Sequence, residues 1–536
     1  MSSPGILLVT MTPKPGLSLS QFHEWYNNEH GPTRLRLPQI FSNGFRYKAT
    51  SHEQPAFMAV YHVTAMKHLE TETYTALRAN RSNREANIIG QVDVNRYFFD
   101  LLYTKQSSHF TPIEHLTDEE AEGLVAVAVE INVSEADGAG DQYQQWFVQE
   151  HAELIAKVPG WLRSRLFRTS SLGDAGKAVY LCLFDYEKQN GLGGAAHAAS
   201  MDTPWRTEVF GKYVASKKRQ TWSLFRVFGP AATDLASLSE LSASAAFTST
   251  GGDTTTRPGS SAVISSYVTT KDSLNIRYRL EGNPSPTAPT VAFSNSLLTS
   301  LHMWDSFVAV LKKNRPGLRI LRYDTRGRCA IPQPPVAATL DTLTDDLNSI
   351  LDSLRIARLD TLVGVSLGGA TTLNFAIKSP ARLGKFIACD FNATSSPANT
   401  QAWKDRVAIA RADSGQGIKK LAVQTVERWF HPMTMEKGHL AQQMTDMVAE
   451  NDVEGFANSC TALWDYDIKP DMKGCRVPGL FLAGEADAKG AVVKAMDGFK
   501  GLLGDGGAEL RIVPLTGHLP MFEDADAFYN AVKDYL

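Results

Sequence analysis

A serine hydroxyl becomes a nucleophile when a neighbouring base takes its proton and the backbone holds it clear of other side chains. Gly364-Val365-Ser366-Leu367-Gly368-Gly369 supplies that setting. The apolar run Thr361–Val365 predicts a strand before the serine, and Ala370–Ile377 predicts a helix after it. On such a strand-to-helix turn only small flanking residues fit, and the serine projects above the sheet. The helix N-terminus beside it favours developing negative charge. Two partners follow in the order this arrangement requires, acid and then histidine. Asp487 ends Gly484-Glu485-Ala486-Asp487, after a strand over Gly479–Ala483, and His518 lies in Thr516-Gly517-His518-Leu519-Pro520, after a strand over Glu509–Leu515. In these roles Ser366 attacks a carbonyl, His518 is the general base, and Asp487 holds the imidazole tautomer and stabilises the imidazolium. Asp390, after the predicted strand Lys385–Cys389, is the rival carboxylate, and Asp487 is preferred.

These residues need a scaffold. From about 262 onward strand-like and helix-like runs alternate. Leu318–Tyr323 predicts a strand, while Leu340, Leu343, Leu347, Ile350, Leu351 and Leu354 recur at helical spacing. Such alternation predicts a mostly parallel sheet with helices on both faces. The first 230 residues repeat themselves: Phe22-x-x-Trp25-Tyr26-x-x-Glu29-His30 and Pro38 return as Tyr143-x-x-Trp146-Phe147-x-x-Glu150-His151 and Pro159, each 121 residues later. Each copy reads strand, helix, two strands, helix, strand, the βαββαβ order of a ferredoxin-like unit. The expected division is therefore two α+β repeats, 1–110 and 111–230, a linker over 231–261 rich in Ala, Ser, Thr and Gly, and a second domain over 262–536. His30 and His151 are candidates for acting on a ligand in the repeats, although anchoring the loop that follows is the plainer role.

The bulk composition narrows the partners. With 54 Lys+Arg against 57 Asp+Glu the formal net charge is −3, and no basic run suggests a nucleic-acid or anionic-membrane surface. Apolar residues at 43% and charged residues at 21% fit a globular protein acting on small molecules. No apolar run is long enough to span a bilayer, and Met1-Ser2-Ser3-Pro4 brings no basic stretch ahead of the first apolar one. The five scattered cysteines (Cys182, Cys329, Cys389, Cys460, Cys475) contain no C-x-x-C pair, which argues against a disulfide framework or a zinc site. A cytoplasmic protein without metal or cofactor is expected.

Residues 262–536 resemble the 3-oxoadipate enol-lactonases, a branch of the α/β-hydrolases. The resemblance is carried by Ser294-Asn295-Ser296-Leu297, Met303-Trp304-Asp305, Leu321-Arg322-Tyr323-Asp324-Thr325-Arg326-Gly327 and the Ser366 turn. It continues in Trp403-Lys404-Asp405-Arg406-Val407, Arg428-Trp429-Phe430, Glu454-Gly455-Phe456 and Gly517-His518-x-Pro520. It implies an α/β-hydrolase fold with a helical cap over about 395–470, and oxyanion donors at the backbone N–H groups of Leu297 and Leu367. It also makes Trp403, Arg406 and Trp429 candidates for the substrate pocket, and a small lactone or ester the expected substrate. Two positions depart from the family pattern: Arg326-Gly327-Arg328-Cys329-Ala330 stands where Arg-Gly-His-Gly is usual, and Asp390 where a neutral residue is usual. The duplicated units resemble the EthD-like dimeric α/β-barrel family, whose two sheets pack face to face. Two alternatives follow: hydrolysis of a carbon–carbon bond or tailoring of a cyclic polyketide-like metabolite, and a barrel that is itself a ligand-binding module or the means of forming a homodimer.

Overall fold

The computed structural model describes residues 3–52, 54–172, 178–244, 246–328 and 330–536. Among the described residues eighteen strands run in chain order: β1 Gly5–Pro13, β2 Phe41–Ala49, β3 Phe57–Val63, β4 Val92–Gln106, β5 Val125–Val133, β6 Trp161–Thr169, β7 Val179–Tyr186, β8 Val214–Val227, β9 Phe247–Thr248, β10 Thr255–Arg257, β11 Val263–Thr269, β12 Asn275–Gly282, β13 Thr290–Ser294, β14 Arg319–Tyr323, β15 Leu359–Val365, β16 Leu383–Cys389, β17 Gly479–Gly484 and β18 Glu509–Val513. By contacts the chain forms two units, one of Met1–Ala232 with Thr248–Gly252, the other of Thr233–Phe247 with Asp253–Leu536.

The first unit is built by two-residue alternation. On β1, Ile6 and Leu8 face one core, which includes Phe45, Val60, Ala126, Leu181 and Trp222, while Leu7, Val9 and Met11 face another with Phe22, Trp25 and Tyr26. β5 splits likewise, with Ala126 and Ala128 inward and Val127 and Ile131 against Tyr143, Trp146 and Phe147. The inner core is thus common to both repeats, and each repeat has its own outer core under its helices. Within each repeat the antiparallel order is fourth, first, third, second strand, and β2 on β8 and β4 on β6 close the eight strands into a barrel, in the order β1-β3-β2-β8-β5-β7-β6-β4. A closed sheet leaves no edge to aggregate.

The second unit holds a ten-stranded sheet, β18-β17-β16-β15-β13-β14-β12-β11-β10-β9. Its strands from β14 through β13, β15, β16 and β17 to β18 pair in parallel, with β12 antiparallel to β14 and β11 antiparallel to β12. All of β13, β14 and nearly all of β15 are buried, as strands covered on both faces must be. This is the α/β-hydrolase fold. Between β16 and β17 the chain makes a set of helices, among them Pro397–Arg411, Gly417–Trp429, Gly438–Ala449 and Val453–Cys460, where the cap is expected.

The stretch 231–261, expected to be a bare linker, carries structure of its own. A short helix, Leu235–Ser239, is capped by Asp234 and buries Leu235 and Leu238, and β9 and β10 join the second sheet. Thr250 accepts from the Ser82 N–H at 2.8 Å and donates its own N–H to Glu29 at 3.1 Å, so this piece packs with the barrel unit. Small hydroxyl residues read as linker by composition, yet they also cap helices and satisfy buried acceptors. Among the described residues no helix is long and apolar enough to cross a membrane.

Candidate active site

Ser366, Asp487 and His518 each follow the C-terminal end of a parallel strand. β15 stops at Val365, and Ser366 adopts φ 59°, ψ −119° before the helix Leu367–Lys378 begins. A non-glycine residue with positive φ is strained and persists only where its surroundings enforce it. Here they do: a Cβ on Gly364 would lie 2.1 Å from the Gly368 carbonyl oxygen, and one on Gly368 would lie 2.2 Å from that of Ser294. The Ser366 N–H donates to Cys389 O at 2.9 Å, tying the turn to β16. Val365 and Leu367 are buried, whereas Ser366 is partly exposed, so the hydroxyl is the accessible part of the turn.

His518 lies past β18, its N–H donating to Trp429 O at 2.7 Å and its ring stacked on the Trp429 indole at 5.3 Å between centroids. Asp487, past β17 and 4% exposed, has Oδ2 2.8 Å from His518 Nδ1. A carboxylate accepting from Nδ1–H leaves Nε2 unprotonated, the tautomer a general base requires. No hydrogen bond joins Ser366 to His518 among the described residues, a looseness common in unliganded hydrolytic sites.

Asp390 takes a different place from the one a rival acid needs. It ends β16 with φ 47°, is 2% exposed, and its Oδ1 accepts from Gly484 N–H at 2.8 Å. Its side chain meets that of Asp487. Burial first, and the Asp487 charge second, hold its carboxyl well above the usual range.

The loop after β13 is held by Asn295, whose Nδ2 donates to Tyr323 O at 2.9 Å while its Oδ1 accepts from Trp304 Nε1 at 2.9 Å. Leu297 and Leu367 are both buried, and Leu298 has φ 69°. As the first residue of its helix, Leu367 has an N–H without an intrahelical acceptor. The contact of Gly368 with Ser294 O and Asn295 O brings the β13 loop against that helix start.

In the cap, the Arg406 guanidinium lies over the Trp403 ring at 4.4 Å, and Trp429 is the residue stacked on His518. Arg328, in the segment departing from the family pattern, donates to Met447 O at 2.7 Å and so ties its loop to the cap helix Gly438–Ala449. Cys329 lies outside the described residues.

Two further residues take parts in the site that the sequence alone does not assign to them. Arg428 precedes the stacking tryptophan; desolvation and then the charge of Arg406 lower its pKa to about 10, while Asp487 opposes them. Glu523, 4% exposed, accepts from the N–H groups of His431 and Gly517 and from the Thr434 hydroxyl, each at 2.8 Å, and from Leu519 N–H at 3.4 Å. It thereby clamps both sides of His518 to the turn that follows the cap helix Gly417–Trp429. Only its contacts reveal it, since nothing in Pro520-Met521-Phe522-Glu523 marks the glutamate.

Residues 299–531 match the alpha/beta hydrolase family. The chain is 32% identical over 200 residues, 37% of its length, to 3-oxoadipate enol-lactonase 2 of Acinetobacter baylyi, and covers 72% of that protein. It is 31% identical over 232 residues, 42% of its length, to 3-oxoadipate enol-lactonase 1 of the same organism, covering 81% of it. A solved enol-lactonase from Burkholderia xenovorans LB400 is 32% identical, with a TM-score of 0.44 over 50% of this chain and 98% of that one.

Proposed function

The chain belongs to the alpha/beta hydrolase family through its C-terminal half, and on that premise we propose that it opens a small lactone or ester bearing a carboxylate, through an acyl-enzyme on Ser366. The observation that carries this reading is the 2.8 Å Asp487–His518 bond at the strand ends that also present the strained Ser366 turn. His518 Nε2 takes the hydroxyl proton as Ser366 attacks, and the N–H groups of Leu297 and Leu367 receive the oxyanion; such donors are worth about 2.7–4 kcal/mol each. The protonated His518 then delivers its proton to the departing oxygen, and after that activates water to release the acid.

The carboxylate preference rests on charge. Arg406 and Arg428 are cap cations that repel one another, and neither forms a salt bridge among the described residues. A substrate anion would relieve that repulsion, with Trp403 and Trp429 against its apolar part. The names of the relatives support a lactone. For the N-terminal unit, the fourth-first-third-second strand order and the repeated Trp and Glu-His turns support two fused EthD-like modules. Their barrel closes within one chain, so its strand edges give no reason for a second copy.

The test is a panel of paired substrates. Arg406→Ala should raise KM for a carboxylated lactone about tenfold or more while changing it little for a neutral lactone of equal size. Equal effects on both, or a wild type that prefers long acyl esters or cleaves only diketones, would sink the substrate assignment while leaving the hydrolase fold intact.

A further inference from the structure

The second repeat of the barrel encloses a cavity that the hydrolase reading does not use. Its free volume is about 60 Å³, room for about four to six waters, and it opens at a mouth lined by Lys217 and Arg219. Its walls include the rings of Tyr143, Trp146, Phe184 and Phe210, and its lining holds His151, Arg206, Lys217 and Arg219 but no carboxylate.

The first repeat explains why that charge is unusual. The 121-residue register that pairs His30 with His151 also pairs Ser82 with Thr203 and Glu85 with Arg206. The structure respects this register. Ser82 and Thr203 each cap a helix, accepting from the N–H of Glu85 at 3.0 Å and of Arg206 at 3.1 Å, and each donates its hydroxyl to the glutamate before the histidine, Glu29 or Glu150, at 2.6 Å. Both histidines sit at the end of a π-helical turn, Tyr26–His30 and Phe147–His151. In the first repeat the Glu85 carboxylate takes His30 Nδ1 at 2.8 Å. In the second the residue at the equivalent position is Arg206, whose guanidinium lies over the Phe210 ring at 4.3 Å, and buried His151 Nδ1 has no hydrogen-bond partner among the described residues, nor has Arg206 Nε. The other face of His151 is committed, its ring stacked on Trp146 at 4.7 Å and 18°.

We propose that the second repeat is a binding site for a small aromatic acid carrying a hydroxyl, and that replacement of the repeat-one carboxylate by Arg206 created it. The ring of the ligand packs among Trp146, Phe184 and Phe210, its carboxylate meets Arg206 with Lys217 and Arg219 at the exposed mouth, and its hydroxyl donates to His151 Nδ1. In the first repeat the same place is filled by the protein's own anion, Glu85, so that copy has lost the need for a ligand.

Salicylate is the probe, titrated by calorimetry into the full-length protein beside its neutral analogue salicylamide. Saturable binding is expected, with salicylate favoured about tenfold or more because only it completes the cation pair. Arg206→Glu restores the His–Glu arrangement that the first repeat shows to be compatible with the fold. It should abolish salicylate binding while near-UV circular dichroism and the hydrolysis of 4-nitrophenyl acetate stay as in wild type. His151→Gln should weaken salicylate and salicylamide alike. Absence of saturable binding by wild type, equal affinity for the two probes, or undiminished binding by Arg206→Glu would each overturn the assignment, and none of these outcomes bears on Ser366.

Discussion

At the scale of single residues, the site turns on two carboxylates at the ends of neighbouring strands that play different parts because their surroundings differ. Asp487 accepts from His518, whereas Asp390 is shut in among Gly484 and Asp487 and burial holds its carboxyl well above the usual range. An amide can replace a protonated carboxyl as donor but cannot replace an ionised one as acceptor for an imidazolium. Asp487→Asn is therefore expected to lower kcat by about four orders of magnitude, and Asp390→Asn by about tenfold at most; steady-state kinetics with one ester decides, and a reversed order would make Asp390 the acid. Ser366, Asp487 and His518 stand out in the sequence because their motifs are local and ordered. The state of Asp390 does not, since it depends on the 94 residues that separate it from Gly484 being folded away. The electrostatic setting of Arg428 is hidden for the same reason, since its neighbours Arg406 and Asp487 are distant in the chain.

At the scale of elements, hydrophobic period identified the barrel strands and the parallel strands of the second sheet, because buried strands are short apolar runs and the barrel strands alternate between two cores; it did not reveal β9 to β12. The loop that carries His518 shows what period leaves out. Its position is fixed by Glu523, one carboxylate with four donors drawn from the loop and from the cap turn at His431–Thr434. Glu523→Gln turns part of that acceptor into a donor facing other donors, at about 1–3 kcal/mol. The expected result is a lower melting temperature together with a lower kcat, because Gly517 and Leu519 flank the base. A lowered melting temperature with unchanged kcat would mean that Trp429 alone holds His518 in place.

At the scale of the whole molecule, the division into a barrel and a hydrolase was legible, but the path between them was not. Composition marked 231–261 as connector, while capping by Asp234 and the bonds of Thr250 fold it into the units themselves. The barrel also carries a pH signature. Burial foremost lowers the pKa of His30 and of His151 from 6.5 to about 3, and it lowers His62 as well. These groups take up protons in the unfolded chain before the folded one, so their contribution is intact above about pH 6.5 and is lost as pH falls towards about 3, by about 1.4 kcal/mol per unit for each histidine. Urea midpoints followed by tryptophan fluorescence should fall between pH 7 and pH 5, and less steeply in His151→Gln. Midpoints independent of pH over that window would show that the histidines charge without unfolding the barrel.

The central claim is that Ser366 is the nucleophile. Its most direct measurement is labelling of the intact protein with a fluorophosphonate, followed by peptide mass spectrometry. The account predicts one phosphonylated residue, Ser366, in wild type, and none in Ser366→Ala, whose fold is unchanged because only one partly exposed hydroxyl is removed. Labelling at another serine, or labelling that persists in Ser366→Ala, would contradict it.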